Sequence, residues 1–307
     1  MFDLTIIGGG PAGVAAGVYA ARKCLKTLFV TESWGGQSVE SVGIENWTGT
    51  VKVSGNDFAK MLEEHLRAYA ASVVDIKSPA KVERVEKTGE IFTLKLSSGE
   101  SFESRAVLIT AGSTRRKLDV PGAKEYENKG IVYCASCDGP LFSGQDVAVV
   151  GGGNAAFESA AQLLAYSKSV TLIIRSDQFR ADPATIARVL AHPNMKVLKN
   201  ADLKEIKGGD FVTTVVYTDK ITNETKDLPV TGVFVEIGLL PSTMLAEGLV
   251  EKNQIGQIKV DPRNQRSSTP GVWAAGDCTD GLFHQNNIAA GDAVKAIEDI
   301  YLELRAK

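Results

Sequence analysis

At 307 residues, with 44% apolar side chains, 23% charged side chains and 30 glycines, the chain is globular in composition and long enough for two cores. A formal net charge of −3 offers no basic field to nucleic acid or an anionic membrane, and no apolar run reaches bilayer length. Four cysteines are too few for a disulfide scaffold, and Met1-Phe2-Asp3 shows no basic leader; the expected setting is cytoplasmic, with any disulfide catalytic.

In chain order, the apolar run Leu4 to Ile7 ends in Gly8-Gly9-Gly10-Pro11-Ala12-Gly13, and an alanine-rich helix follows over Val14 to Arg22. Strand, glycine turn and helix are the context that a G-x-G-x-x-G pattern needs to bind a nucleotide. Gly8 permits the tight turn, Gly10 lets the backbone approach a pyrophosphate, and Gly13 lets the helix lie close on the strand. The helix N-terminus supplies partial positive charge to the phosphates. A second strand over Thr27 to Val30 leads to Glu32, an acid suited to a ribose hydroxyl.

Gly35-Gly36-Gln37 and Ile44-Glu45-Asn46-Trp47 lie in loop chemistry. Asn56 to Ala71 has helical periodicity, with Phe58, Met61, Leu62, Leu66 and Tyr69 on one stripe and His65 beside them in a structural role. Val82 to Val85, Ile91 to Leu96 and Ser101 to Thr110 read as a three-stranded meander ending at Thr110-Ala111-Gly112. Residues 113 to 122 form a crossover carrying Arg115 and Arg116.

The next stretch, Cys134-Ala-Ser-Cys137-Asp138-Gly-Pro, places two thiols two residues apart with a carboxylate after the second. One thiol of such a pair can resolve a mixed disulfide formed by the other. A zinc site would need two more ligands, and Cys24, Cys278, His65, His192 and His284 show no paired spacing. Cys24 and Cys278 read as packing residues.

A second strand–turn–helix unit follows: Asp146 to Val150, then Gly151-Gly152-Gly153-Asn154-Ala155-Ala156, then Phe157 to Tyr166. A strand over Val170 to Ile174, a helix over Pro183 to Ala191, and strands over Phe211 to Tyr217 and Leu228 to Ile237 repeat the order of the first half. The chain thus duplicates one architecture. A second crossover over Leu240 to Thr243 leads to a tail with a strand ending in Gly276-Asp277 and a helix over Gln285 to Tyr301. Read alone, Asp277 is a turn residue.

These residues resemble the low-molecular-weight thioredoxin reductases and the reductase portion of the alkyl hydroperoxide reductase flavoprotein subunit. The resemblance rests on Cys134-Ala-Ser-Cys137-Asp138-Gly-Pro-Leu, Gly8-Gly-Gly-Pro-Ala-Gly13, Gly35-Gly-Gln37 and Ala275-Gly-Asp277, and it spans the chain. Val235-Glu-Ile-Gly-Leu-Leu-Pro241 is closer to the peroxide-reductase flavoprotein, whose N-terminal thioredoxin-like domains this sequence lacks, so a separate protein acceptor is expected.

The resemblance implies an α/β fold of two Rossmann-like dinucleotide-binding domains, the second inserted into the first. An FAD domain is expected over residues 1–114 and 244–307, and a pyridine-nucleotide and redox-dithiol domain over 115–243. Implied FAD contacts are Gly8, Gly10, Pro11, Ala12, Gly13, Glu32, Gln37, Asn46, Gly112, Asp277 and Gln285. His284 stands where the family has Arg or Lys, and residues 110 to 112 read Thr-Ala-Gly where it has Ala-Thr-Gly. Gly151, Gly153, Asn154, Ala156 and Glu158 would form the second nucleotide site.

The implied chemistry makes Cys137 the sulfur nearer the flavin, Cys134 the thiolate that attacks the partner, and Asp138 the acid/base. The resemblance also implies a homodimer, thioredoxin or a thioredoxin-like protein as acceptor, and rotation of the inserted domain about its crossovers. The donor is NADH or NADPH. Where NADPH-using relatives carry His-Arg-Arg-x-x-x-Arg, this chain reads Ile174-Arg175-Ser176-Asp177-Gln178-Phe179-Arg180, which keeps only Arg175 and Arg180 of that clamp. Asp177 opposes a 2′-phosphate and could hold a ribose hydroxyl, which favours NADH. Alternative readings are a peroxiredoxin-system reductase, a flavin-dependent dithiol oxidase, a reductase with a non-nucleotide donor, and a flavin-bearing redox sensor.

Overall fold

The structure, a computed structural model, describes residues 1–41 and 43–305. The chain runs β1 (Phe2–Gly9), α1 (Pro11–Arg22), β2 (Thr27–Trp34), α2 (Gly55–Ala70), β3 (Val74–Lys77), β4 (Val82–Thr88), β5 (Ile91–Leu96), β6 (Ser101–Ile109) and β7 (Ser113–Arg115). It continues through β8 (Ile131–Val132), α3 (Ala135–Asp138), β9 (Asp146–Val150), α4 (Asn154–Leu163), β10 (Ser169–Ile173), α5 (Pro183–Leu190), β11 (Met195–Leu198), β12 (Ala201–Gly208), β13 (Val212–Asp219), β14 (Thr225–Pro229) and β15 (Gly232–Val235). β16 (Leu239–Pro241), β17 (Val272–Ala274) and α6 (Asn286–Arg305) complete it. β7 and β16 pair with each other, and there the chain divides into two units, Met1–Thr114 with Leu240–Lys307, and Arg115–Leu239.

In the first unit the sheet order is β3-β2-β1-β6-β5-β4. β6 is shared along its length: Ser101 to Ser104 pair antiparallel with β5, whereas Val107 to Ile109 pair parallel with β17. The tail therefore closes the parallel part of the sheet that the N-terminal segment began. Side-chain alternation along β1 sends Leu4 and Ile6 to the core under α1, α2 and α6, and Ile7 to the core under the meander. With both faces covered, the strand reads as a continuous apolar run.

The three tryptophans all lie in this unit. Trp34 stacks on Phe29 with centroids 5.5 Å apart, Trp47 meets Phe58 edge-on at 5.0 Å, and the buried Trp273 donates its indole N–H to Asp299 at 2.8 Å. On α2 the inward stripe is Phe58, Leu62 and Leu66; Met61 and Tyr69, expected on it, are 44% and 43% exposed. The inward face is completed by Ala59 and Ala70, which the stripe leaves out.

The second unit holds an all-parallel sheet, β11-β10-β9-β15-β8, and a three-stranded antiparallel sheet, β12-β13-β14. The single strand expected over Leu228 to Ile237 is two strands in different sheets. β14 ends at Pro229, the Val230 N–H makes one more bond to the Thr213 carbonyl at 3.1 Å, and the chain turns through Thr231 before β15 enters beside β9. Val147 and Val149 pack with α4, while Ala148 and Val150 face the antiparallel sheet. No described helix is long and apolar enough to cross a membrane.

Candidate active site

The two glycine turns repeat one geometry. Gly8 and Gly151 have φ of +122° and +147°, so each tolerates only glycine without strain. Gly10 and Gly153, the residues before α1 and α4, are both extended at φ −78° ψ −175° and φ −97° ψ −176°. Neither helix start has a side-chain cap, so its first N–H groups are left for a ligand. A Cβ on Gly13 would overlap the Gly8 carbonyl; the matching position in the second turn holds the buried Ala156. By contrast, a Cβ on Gly10 would meet only the Gly36 Cα at 4.0 Å, and one on Gly153 nothing within 4 Å. Those two backbones face open space.

Around the first turn the structure gathers the other expected residues of that unit. Gln37 donates to Ser113 Oγ at 3.0 Å, next to Gly112, whose φ is +66° and whose Cβ position is open. Ser38 donates to Asn286 at 3.0 Å, and Asn46 donates to Gln285 Oε1 at 3.2 Å. A Cβ on Gly276 would lie 3.3 Å from the Ala12 Cβ, which puts Asp277 beside the start of α1, with Pro11 as its first residue. Glu32 sits on β2, which runs on to Trp34 because Gly9 pairs with it, and is exposed with Lys81 at 3.4 Å. His284 Nε2 is buried with no hydrogen-bond partner among the described residues. An orphaned ring nitrogen, two open glycine backbones and an uncapped helix start fit a dinucleotide such as FAD.

In the second unit Arg180 is strapped to the turn: its N–H donates to the Gly152 carbonyl at 2.7 Å. Asn154 Oδ1 accepts the Asp182 N–H at 2.8 Å, so this side chain positions the 180–182 segment. Arg175, Asp177 and Glu158 are exposed, and Ile174 is buried. Lys220, from the turn after β13, donates to the Arg175 carbonyl at 3.2 Å, and Lys199 lies over the Phe179 ring at 4.5 Å. Lys220 is not legible as a neighbour of Arg175 from sequence spacing; it comes from the antiparallel sheet, whereas Lys199 follows β11 of the parallel sheet.

Cys134 and Cys137 form a disulfide with Cα atoms 5.3 Å apart. α3 is a single turn that starts between them, so the Cys137 N–H donates to Cys134 Sγ at 3.2 Å, a donor placed to stabilise negative charge on that sulfur. Ser136 donates to Gln162 at 2.8 Å and ties the turn to α4. Asp138 closes the turn. Burial pushes its carboxyl up from 3.8 to about 6, against the opposing pull of the Arg115 guanidinium. Cys278 is fully buried and its thiol is pushed up to about 12 by burial, so it is inert. Cys24, expected to be packed, is instead exposed at φ +56°, because α1 ends at Arg22 and the chain turns there.

Comparison with known proteins agrees with this architecture. The family described as pyridine nucleotide-disulphide oxidoreductase matches residues 2–293. A Bacillus subtilis (strain 168) protein named NADH dehydrogenase is 41% identical over 295 residues, covering 96% of this chain and 57% of that protein. An alkyl hydroperoxide reductase subunit of Pseudomonas aeruginosa is 39% identical over 296 residues, again with 96% and 57% coverage. The chain thus spans a little over half the length of these curated relatives. Thioredoxin reductase from Streptococcus pyogenes superposes with TM-score 0.90 at 34% identity, covering 100% of this chain and 99% of that one. The thioredoxin reductase from Giardia duodenalis gives 0.93 at 31%, with the same coverage. Two Rossmann-like units, the second inserted into the first and carrying a Cys-x-x-Cys disulfide, together with these matches show that the chain belongs to the pyridine nucleotide-disulphide oxidoreductase family.

Proposed function

We propose that the chain is a flavoprotein disulfide reductase that passes electrons from a reduced pyridine nucleotide, through FAD, to the Cys134–Cys137 pair and on to thioredoxin or a thioredoxin-like protein. The observation that carries this reading is the disulfide with a half-buried acid beside it, on the unit that also bears the second glycine turn. Bound FAD would supply the two-electron chemistry that joins a hydride donor to a disulfide. Gly8, Gly10, Pro11, Ala12 and Gly13 would hold its pyrophosphate, with Glu32, Gln37, Asn46, Gly112, Asp277 and Gln285 around the remainder.

In the reduced pair, Cys134 attacks one sulfur of the partner's disulfide, and the other partner sulfur leaves as a thiolate and takes a proton. Cys137 then attacks Cys134 Sγ, re-forming the intrachain disulfide and releasing the second partner thiol. Two electrons leave the chain with two protons. Asp138, with a carboxyl near 6, is suited to take the proton from Cys137 Sγ and return it at near-neutral pH. Such chemistry belongs in a reducing compartment such as the cytoplasm, and a homodimer is the assembly that the sequence resemblance implies.

NADH is the favoured donor: Ile174 is buried where one clamp residue would stand, and Asp177 opposes a 2′-phosphate. Names among the relatives support a second reading, in which the acceptor belongs to a peroxiredoxin system. The test is to reduce a Cys137→Ser variant and mix it with oxidised thioredoxin or peroxiredoxin, then identify the adduct by mass spectrometry. A stable mixed disulfide through Cys134 with one of them is expected. An adduct that forms without Cys134, or none with either protein, sinks the assignment.

A further inference from the structure

The turn between the two sulfurs is short. α3 has four residues, Ala135–Asp138, and a single helical turn has too few backbone bonds to persist unaided. Its own bonds run from the Asp138 N–H to the Cys134 carbonyl at 3.0 Å, and from the Cys137 N–H to that carbonyl at 3.3 Å and to Cys134 Sγ at 3.2 Å. In the oxidised form the disulfide closes the turn covalently. On reduction that closure is lost, and further support for the wound turn has to come from its neighbours.

α4 is such a neighbour. Ala135 is buried in one apolar cluster with Phe157, Ala160 and Leu163. Past the turn, a Cβ on Gly139 would lie 3.4 Å from Leu163 and 3.6 Å from the Tyr166 ring, and the Gly144 N–H donates to the Tyr166 carbonyl at 2.9 Å. Between these anchors Ser136 Oγ donates to Gln162 Oε1 at 2.8 Å. Ser136 stands between the two cysteines in the chain, so this bond acts on the very loop that the disulfide closes. Both side chains are exposed and neither adds to the apolar core.

We propose that Gln162 is a positioning residue for the dithiol: its amide oxygen clips Ser136 to α4 and keeps the reduced turn wound, so that Cys137 Sγ stays within reach of Cys134 Sγ. The proposal deepens the disulfide-reductase reading and rests on it for its functional meaning. In that reading the clip serves the resolving step. The Cys137 thiolate attacks Cys134 Sγ, the bond from Cys134 to the partner sulfur breaks, and the partner sulfur leaves as a thiolate. A wound turn raises the effective concentration of one sulfur at the other.

The clip acts unequally on the two forms. The oxidised turn is wound with or without it, so losing the clip costs this form the whole hydrogen bond. The reduced turn can unwind, and it loses less. Without the clip the dithiol is therefore favoured over the disulfide, by about threefold for a solvent-exposed hydrogen bond.

The measurement is the equilibrium of the full chain with mixtures of reduced and oxidised dithiothreitol, in which two electrons and two protons pass between the reagent and the Cys134–Cys137 pair. Samples are quenched in acid, alkylated, and read by mass spectrometry of the peptide that carries both cysteines. Gln162→Leu leaves helix propensity nearly unchanged and is expected to move the equilibrium about threefold toward the dithiol. In a Ser136→Ala chain the same substitution should have no further effect. In a Ser136→Thr chain, which keeps the hydroxyl, it should again move the equilibrium about threefold. Gln162→Leu that leaves the equilibrium in place, moves it toward the disulfide, or moves it equally in the Ser136→Ala chain overturns the proposal. If the expected pattern holds in a protein whose Cys137→Ser variant forms no adduct with any disulfide partner, the clip stands and the reductase reading falls.

Discussion

Asp138 binds its proton more tightly in the folded protein than in the unfolded chain, its carboxyl being raised from 3.8 to about 6 by burial despite Arg115. The sign follows from linkage: the fold is favoured while the group is protonated, and stability falls as pH rises from about 3.8 to about 6, then stays lower. Asp138→Asn removes that dependence. It is expected to melt a few degrees above the parent at pH 7.5, a gain of about 2 kcal/mol, and to lose the advantage near pH 4. The same variant should lose disulfide-reductase turnover by about 10²-fold or more, since it removes the proposed acid/base. Melting curves and initial rates at the two pH values check both halves; equal melting temperatures at pH 7.5 would contradict the first. At this scale the sequence was informative about chemistry that sits in consecutive residues: the Cys-x-x-Cys-Asp run was readable. What it did not reveal was the cause of the shift in Asp138, since the burial that raises the carboxyl and the Arg115 guanidinium that opposes it are products of the fold and not of local spacing.

Elements were legible where periodicity and punctuation agreed. Both glycine turns follow a short apolar strand and open an alanine-rich helix, and both adopt the expected geometry. The structure separates two jobs that the pattern assigns to glycine alike. A side chain on Gly13 collides with the Gly8 carbonyl, whereas one on Gly10 enters open space. Gly13→Val should therefore cost about 3 kcal/mol and unfold the first unit early. Gly10→Val is expected to leave the melting temperature of the flavin-free protein nearly unchanged and to abolish retention of FAD, read as the flavin absorbance after gel filtration. Retained flavin in Gly10→Val would refute the assignment of that turn to the pyrophosphate. Elements were illegible where a boundary depended on tertiary pairing. No local signal divides Leu228 to Ile237 between two sheets except Pro229, and a stripe drawn through Met61 and Tyr69 omits Ala59 and Ala70, which α2 buries.

For the whole molecule, the duplication was the most readable feature, because each half repeats strand, glycine turn, helix and meander in the same order. The strand ending at Gly276-Asp277 was legible as well, but its place beside β6 was not, since no local pattern names a strand's partner. The donor belongs to this scale, because the residues proposed for the nucleotide site come from separate stretches, the second glycine turn and the 174–180 segment, with Lys220 bonded to the Arg175 carbonyl. Anaerobic addition of NADH to the FAD-loaded protein is expected to bleach the flavin at least tenfold faster than NADPH at equal concentration. Asp177→Ala should narrow that ratio. A preference for NADPH would instead assign Arg175, Arg180 and Lys220 to the 2′-phosphate.

The placement of Trp34, Trp47 and Trp273 makes the protein a reporter on itself. With every indole in the unit formed by Met1–Thr114 and Leu240–Lys307, tryptophan emission excited beyond the tyrosine band follows that unit alone during denaturation, while circular dichroism follows both. A lag between the two signals would measure how independently the dithiol-bearing insert holds its fold, without a label or a truncated chain.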